Sequence, residues 1–176
     1  MAGGSASKNK GNAGEREACG ILGKIFEGSF LRSPSSGAFI GRKNAWRKDV
    51  ISAGQTTQLK GDVVPPDHML NMVLEVKSYK ELRWHQLVQP NGCAQIDEWL
   101  EQCNATNDPG DEWFILMKFA RISWFVAVPT LHASYYQFEN HIRYSGKHGS
   151  VWISEMQSFF ESNRQKVEER SLSRKL

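Results

Sequence analysis

No apolar run in this chain approaches the roughly 18 residues that a membrane-spanning helix needs, so no membrane partner is expected. The first eleven residues, MAGGSASKNKG, hold glycine, serine and lysine but no apolar stretch. No signal peptide is expected from them, and the cytoplasm is the expected compartment. Cysteine is scarce. Cys19, Cys93 and Cys103 are odd in number and none forms a C-x-x-C pair, which argues against a disulfide framework or a zinc site. All three fall on helical apolar faces and read as small core residues. Charge of one sign is also lacking: the net charge of +3 permits a polyanionic partner without demanding one. No internal repeat is present, and His68, His85, His132, His141 and His148 show no metal-ligand spacing.

What remains is an ordinary globular composition, 40% hydrophobic and 23% charged, in a chain of 176 residues. That length suits one domain with a sizeable core. Residues 1–11 read as a flexible basic arm, 12–170 as the domain and 171–176 as a flexible tail. The first helix is expected from Asn12, where Asn12 and Glu15 have capping-box spacing, to a stop near Gly28. Ala18, Cys19, Leu22, Ile25 and Phe26 form its apolar stripe. Strands are expected at Phe30–Arg32, near Asp49–Ser52, at Asp62–Val64 and at Asn71–Ser78. A helix follows over 92–103, then a strand pair at Glu112–Phe119 and Ile122–Val128. A last helix is expected from about Ser154 to Arg170, and residues 130–150 have no clear pattern. The order predicts an α/β or α+β domain with a mixed central sheet flanked by helices.

The chemistry concentrates on the strand at 71–78. Side chains two apart share a face, so Glu75 and Lys77 project together while Met72, Leu74 and Val76 face a core. Such a pair alone is common on a solvent face. Asp62 changes the balance, because a hairpin through residues 65–70 brings it beside Glu75. Converging carboxylates repel unless a cation sits between them, and hard oxygen ligands suit Mg²⁺, with Mn²⁺ as a substitute. A metal there polarises a phosphate and activates water, and Lys77 stabilises the developing charge. Glu15 lies on the sheet-facing stripe of the first helix, where a carboxylate either caps the helix or needs a partner. Arg42, Lys43, Arg47 and Lys48 flank Trp46, a pattern suited to phosphate contact and base stacking or to a solvated loop. Gln95, on the second helix, is a further polar residue within possible reach of the site, although a solvated helix face suits it as well.

Three ordered motifs carry a resemblance. Lys10-Gly11-Asn12-Ala13-Gly14-Glu15-Arg16-Glu17 fits the pattern Lys-Gly-x-x-x-Glu-Arg-Glu, Arg32-Ser33 opens a small-residue loop, and Asp62 precedes Glu75-Val76-Lys77. Together they resemble the PD-(D/E)xK nuclease superfamily, most nearly the archaeal-type Holliday-junction resolvases and their phage relatives. The likeness covers residues 10–78; beyond it, Trp124-Phe125-Val126 is similar to the family's late strand. It implies a restriction-endonuclease-like α/β fold, metal ligands at Glu15, Asp62 and Glu75, and a catalytic Lys77. It also implies that Arg32 and Ser33 contact the phosphodiester or lie beside it, and Lys10, Arg16, Arg42, Lys43, Arg47 and Lys48 are added as expected DNA contacts. The expected activity is Mg²⁺-dependent cleavage of branched double-stranded DNA by a homodimer, since a junction offers two symmetric strands to cut. Two alternatives stay open: the same chemistry on a restriction- or repair-type substrate, and a non-catalytic DNA-binding protein. Two positions depart from the family, a long stretch between Gly37 and Asp62 and Gly61 where the motif's proline is expected.

Overall fold

The computed structural model describes residues 3–34 and 60–172, with side chains from residue 11 onward. The helices are α1 (Gly3–Phe26), α2 (Ala94–Thr106), α3 (Thr130–Ala133) and α4 (Met156–Ser171). The strands are β1 (Leu31–Arg32), β2 (Val63–Val64), β3 (Met72–Tyr79), β4 (Glu112–Phe119), β5 (Trp124–Pro129), β6 (Ile142–Gly146) and β7 (Gly149–Glu155). They form one seven-stranded sheet in the order β1-β2-β3-β4-β5-β7-β6. Only β3 and β4 run parallel, from Met72 opposite Glu112 to Tyr79 opposite Phe119. The connection between them carries α2, as a parallel crossover requires. This is the restriction-endonuclease-like α/β architecture, a mixed sheet with helices on both faces. No helix among the described residues is long and apolar enough to cross a membrane.

Alternation along the central strands builds two cores. Leu74, Val76, Phe114, Leu116 and Val126 face α1 and α4, which supply Ala18, Leu22, Phe26, Met156, Phe159, Phe160 and Val167. Ile115, Met117 and Ala127 face the other way, onto Ile96, Trp99, Leu100 and Cys103 of α2. With both faces covered, β4 is buried at nearly every position, the normal state of a central strand in a parallel pair.

Several expectations are corrected. Helix α1 starts at Gly3, so most of the stretch read as a flexible arm continues the helix. Extending a formed helix is far easier than nucleating one, and no proline stops it. Asn12 is therefore an interior residue without a capping role; its Oδ1 accepts a hydrogen bond from Arg32 Nη2 at 2.9 Å. The unassigned stretch 130–150 holds α3, edge strand β6 and the start of β7. Its pattern was weak because β6 buries only Tyr144. The last helix begins at Met156, two residues after its expected start, because Ser154 and Glu155 still belong to β7. The strand expected near Asp49–Ser52 lies outside the described residues.

A buried polar knot ties the sheet to the helices at its lower edge. Glu112, at the start of β4, is 2% exposed. It accepts hydrogen bonds from Tyr136 Oη at 2.7 Å and Arg170 Nε at 3.0 Å, and His132 Nδ1 lies 3.1 Å away. Burial alone would raise the Glu112 carboxyl, but the bonds from His132, Arg170 and Tyr136 together hold it below its ordinary range. Its folded pKa is lowered, so its contribution is complete above the ordinary glutamate range and is lost as pH falls through the folded value. Glu112→Gln should cost about 3 kcal/mol in urea denaturation at neutral pH, by weakening charged hydrogen bonds in a buried network. The difference from wild type should shrink in acid; an unchanged difference there would exclude ionised Glu112 as its source.

Candidate active site

The site begins with the turn into β2. Gly61 has φ +69°, and a Cβ there would stand 2.6 Å from the Leu74 carbonyl oxygen. Only glycine accepts both the left-handed backbone and that approach. Proline, held near φ −65°, cannot occupy this turn, which accounts for the departure from the motif's first letter. On one side of the turn Lys60 is buried, with Nζ at 2.6 Å from Asp111 and 2.8 Å from Asp108. On the other side Asp62 N donates to Leu74 O at 2.8 Å, and Ser33 N donates to Asp62 O at 2.9 Å. Val63 pairs with Leu74 in the antiparallel β2–β3 ladder, and Arg32 with Val63 in β1–β2. The backbone of Asp62 is thus held from both flanks.

Its side chain turns inward, with Oδ2 accepting from Val76 N at 2.9 Å. Asp62 is 7% exposed and Glu75 2%, and the two carboxyls interact directly. Burial, reinforced by the Glu75 charge, pushes Asp62 up to about 7; the Val76 amide and Lys77 oppose the shift. Lys77 Nζ lies 3.3 Å from Glu75 Oε2 and donates to Gln102 Oε1 at 2.8 Å. Gln102 Nε2 also reaches Glu75 Oε2, at 3.4 Å. Glu75 Oε1 is buried and has no hydrogen-bond partner among the described residues.

Glu15 stands apart from this pair. It is buried on α1 and bonded to Arg32 Nε, although the Asp62 charge is felt there. Its carboxyl is raised, by burial first, with Arg32 acting against the shift. Among the described residues no three acids, histidines or cysteines converge closely enough to hold a metal. The structure therefore brings together Asp62, Glu75 and Lys77, and places Glu15 beside them in the hands of Arg32. Two buried carboxylates, one with an orphaned oxygen, do fit a hard divalent cation, because such an ion satisfies the oxygen and removes the repulsion.

Of the expected DNA contacts, Arg16 is exposed on α1, and Lys10 lies on the same helix. Arg32 is committed to Glu15 and Asn12. Ser33 is fully buried, and its hydroxyl has no partner among the described residues. Arg42, Lys43, Arg47, Lys48 and Trp46 lie outside the described residues. Gln102 was missed in favour of Gln95, a half-buried residue on the same helix. The signal was present: Gln102 lies three residues beyond Trp99 and beside Cys103, at the edge of the buried stripe.

A family model described as "Phage putative PDDEXK endonuclease" matches residues 6–167. The chain belongs to this family. No curated protein and no solved structure matches it. The family's defining letters fall here on Asp62, Glu75 and Lys77, the residues that the β2–β3 hairpin gathers. The chain is thus a PD-(D/E)xK protein from its first helix to its last.

The raised Asp62 pKa has a measurable consequence. The folded value of about 7 exceeds the ordinary aspartate value of 3.8, so between these the folded state holds the extra proton. Stability therefore falls as pH rises through that window, and the full penalty is present above it. Asp62→Asn carries no such charge. In chelator its Tm should exceed that of wild type above pH 7, and the gap should close towards pH 4. A gap independent of pH would show that the Asp62 carboxyl is not the titrating group.

Proposed function

We propose that this protein is a metal-dependent, structure-selective endodeoxyribonuclease that hydrolyses phosphodiester bonds in branched DNA, four-way junctions above all. One observation carries the reading: Asp62 and Glu75 are buried against each other, with Lys77 held on the same strand face by Glu75 and Gln102. A purely structural role gives no reason to bury two repelling acids beside an orphaned carboxylate oxygen. Asp62 and Glu75 would hold Mg²⁺ or Mn²⁺, with Glu15 joining them only once Arg32 releases it; the ion when bound lowers the pKa of water and neutralises charge on a phosphate.

The chain's own residues do the rest. Lys77 presents its ammonium to the scissile phosphate and stabilises charge as the P–O bond breaks. Gln102 orients Lys77 by accepting a hydrogen bond from its ammonium and steadies Glu75 by donating from its amide nitrogen. The Arg32 guanidinium serves the phosphate as a donor, leaving Glu15 when DNA arrives and exchanging one anion for another, while the buried Ser33 supports the Asp62 backbone through its amide. Arg16, Lys10 and the Arg42–Lys48 segment add backbone contacts that set affinity and not chemistry. The site of action is the cytoplasm of the phage-infected cell.

Asp62→Asn and Glu75→Gln should lose cleavage by several orders of magnitude while still binding junction DNA. Lys77→Ala should lose about 10²- to 10³-fold, the size typical of one preorganised electrostatic donor. Single-turnover rates on a four-way junction, linear duplex and single strands, with Mg²⁺ and with excess chelator, check all three. Wild-type rates in either carboxylate variant, or full activity in chelator, would overturn the active site.

Paired cuts on a two-fold junction call for paired sites, so the active form is read as a homodimer. Light scattering should then give about twice the 20.0 kDa chain mass. A strict monomer that still makes paired, symmetric cuts would defeat this part of the reading.

A further inference from the structure

Along β3 the residues after Val73 on the catalytic face are Glu75, Lys77 and Tyr79, at steps of about 7 Å. The first two hold the chemistry. Tyr79 ends the strand, yet its side chain is 41% exposed, unusual for a large ring so close to a buried site. It is not loosely placed. Its ring centroid lies 5.1 Å from that of Trp99, at 46°. Trp99 is 2% exposed, so it fills the space beneath and keeps Tyr79 from folding inward. The Tyr79 carbonyl accepts from Ala120 N at 3.1 Å, which fixes the backbone against the β4–β5 turn.

Helix α2 aligns these parts. Trp99 and Gln102 are three residues apart and share a helix face, one beneath Tyr79 and the other against Lys77 and Glu75. The ring and the catalytic lysine are thus set by one rigid element, about one nucleotide's length apart along an extended strand. Of the residues that follow, Lys80 and Arg83 are exposed cations, with one exposed acid, Glu81, between them. An exposed, backed aromatic followed by cations is the pattern that holds a single nucleotide, its base on the ring and its phosphates on the charges.

We propose that Tyr79 is a stacking platform for an unpaired nucleobase adjacent to the scissile phosphate. The proposal rests on the nuclease reading above and names what makes that nuclease selective. Inside a duplex each base already has stacking partners on both sides, so only a base released at a branch point, gap or end can lie on the ring. The platform draws such a base in and sets the neighbouring phosphate at Lys77. Among branched substrates the preferred one is therefore DNA in which a base beside the cut comes free of its pair and stack, as at an opened crossover or a flap.

The test uses the full chain and synthetic DNA carrying 2-aminopurine as the unpaired base beside the cut. In the Glu75→Gln background, which leaves DNA uncut, binding should quench the probe. Tyr79→Leu keeps an apolar cover over Trp99 but has no π face. It should abolish the quench and weaken binding to the unpaired substrate by about 10-fold or more, the range for loss of one stacked base. With Glu75 intact, Tyr79→Leu should lower the preference for that substrate over paired duplex by a similar factor, and Tyr79→Phe should restore it. If Tyr79→Leu fails to fold by circular dichroism, Tyr79→Met serves the same comparison. An unchanged quench and an unchanged substrate preference in the folded variant would overturn the platform while leaving the nuclease standing. A wild-type protein that cuts no DNA would instead overturn the nuclease reading, and the platform with it.

Discussion

Two carboxylates that repel each other are held out of water on neighbouring strands, and most of the architecture around them serves to keep them there. Asp62 is fixed by the left-handed turn at Gly61, by ladder bonds to both neighbours and by the Val76 amide. Glu75 is fixed by its place on β3, whose opposite face packs Met72, Leu74 and Val76 into the core with α1 and α4. Burial first and the repulsion second cost stability, and together they raise the Asp62 carboxyl to about 7. A hairpin able to slip would separate the charges and lose the site. The pairing of Val63 with Leu74 and the Lys60 ion pairs oppose that slip.

Much of this was legible in the sequence, for reasons of periodicity. Alternation on β3 correctly assigned Met72, Leu74 and Val76 to a core and Glu75 and Lys77 to the opposite face, because a strand has no freedom in that respect. The apolar stripe of α4 was equally plain, and Met156, Phe159, Phe160 and Val167 are all buried. Two kinds of information were harder to read. Partnership between distant side chains leaves little local trace: Arg32 holding Glu15, or Gln102 bridging Lys77 and Glu75, depends on how elements pack. The other gap was the edge strand β6, which has one buried residue and so almost no pattern to detect. The Asn12–Glu15 spacing misled for a related reason, since a capping box read locally cannot show that the helix continues upstream of it.

Helix α2 has a role beyond covering the sheet. Trp99 contacts Tyr79 and Gln102 contacts the acid and lysine, with Cys103 and Thr106 buried further along. The face of one helix therefore sets the spacing between the chemical centre and the surface next to it. A shift of this helix would move both together, so their separation is more constant than the position of either.

The Glu112 knot and the root of β3 bear on how the molecule comes to exist. Asn71, the residue before β3, donates its backbone amide to Ser171 O, and Glu112 N donates to Asn71 O. Glu112 in turn bonds to Arg170. The strand that carries Glu75 and Lys77 is thus anchored at its base by the far end of α4, residues synthesised long after it. During translation, β3 emerges with its acids and lysine but without this anchor, and the α1 face of the sheet still lacks Phe159, Phe160 and Val167. In a nascent chain the strand bearing Glu75 and Lys77 is consequently unanchored, and the site takes its final form late, when the helix at 156–171 docks.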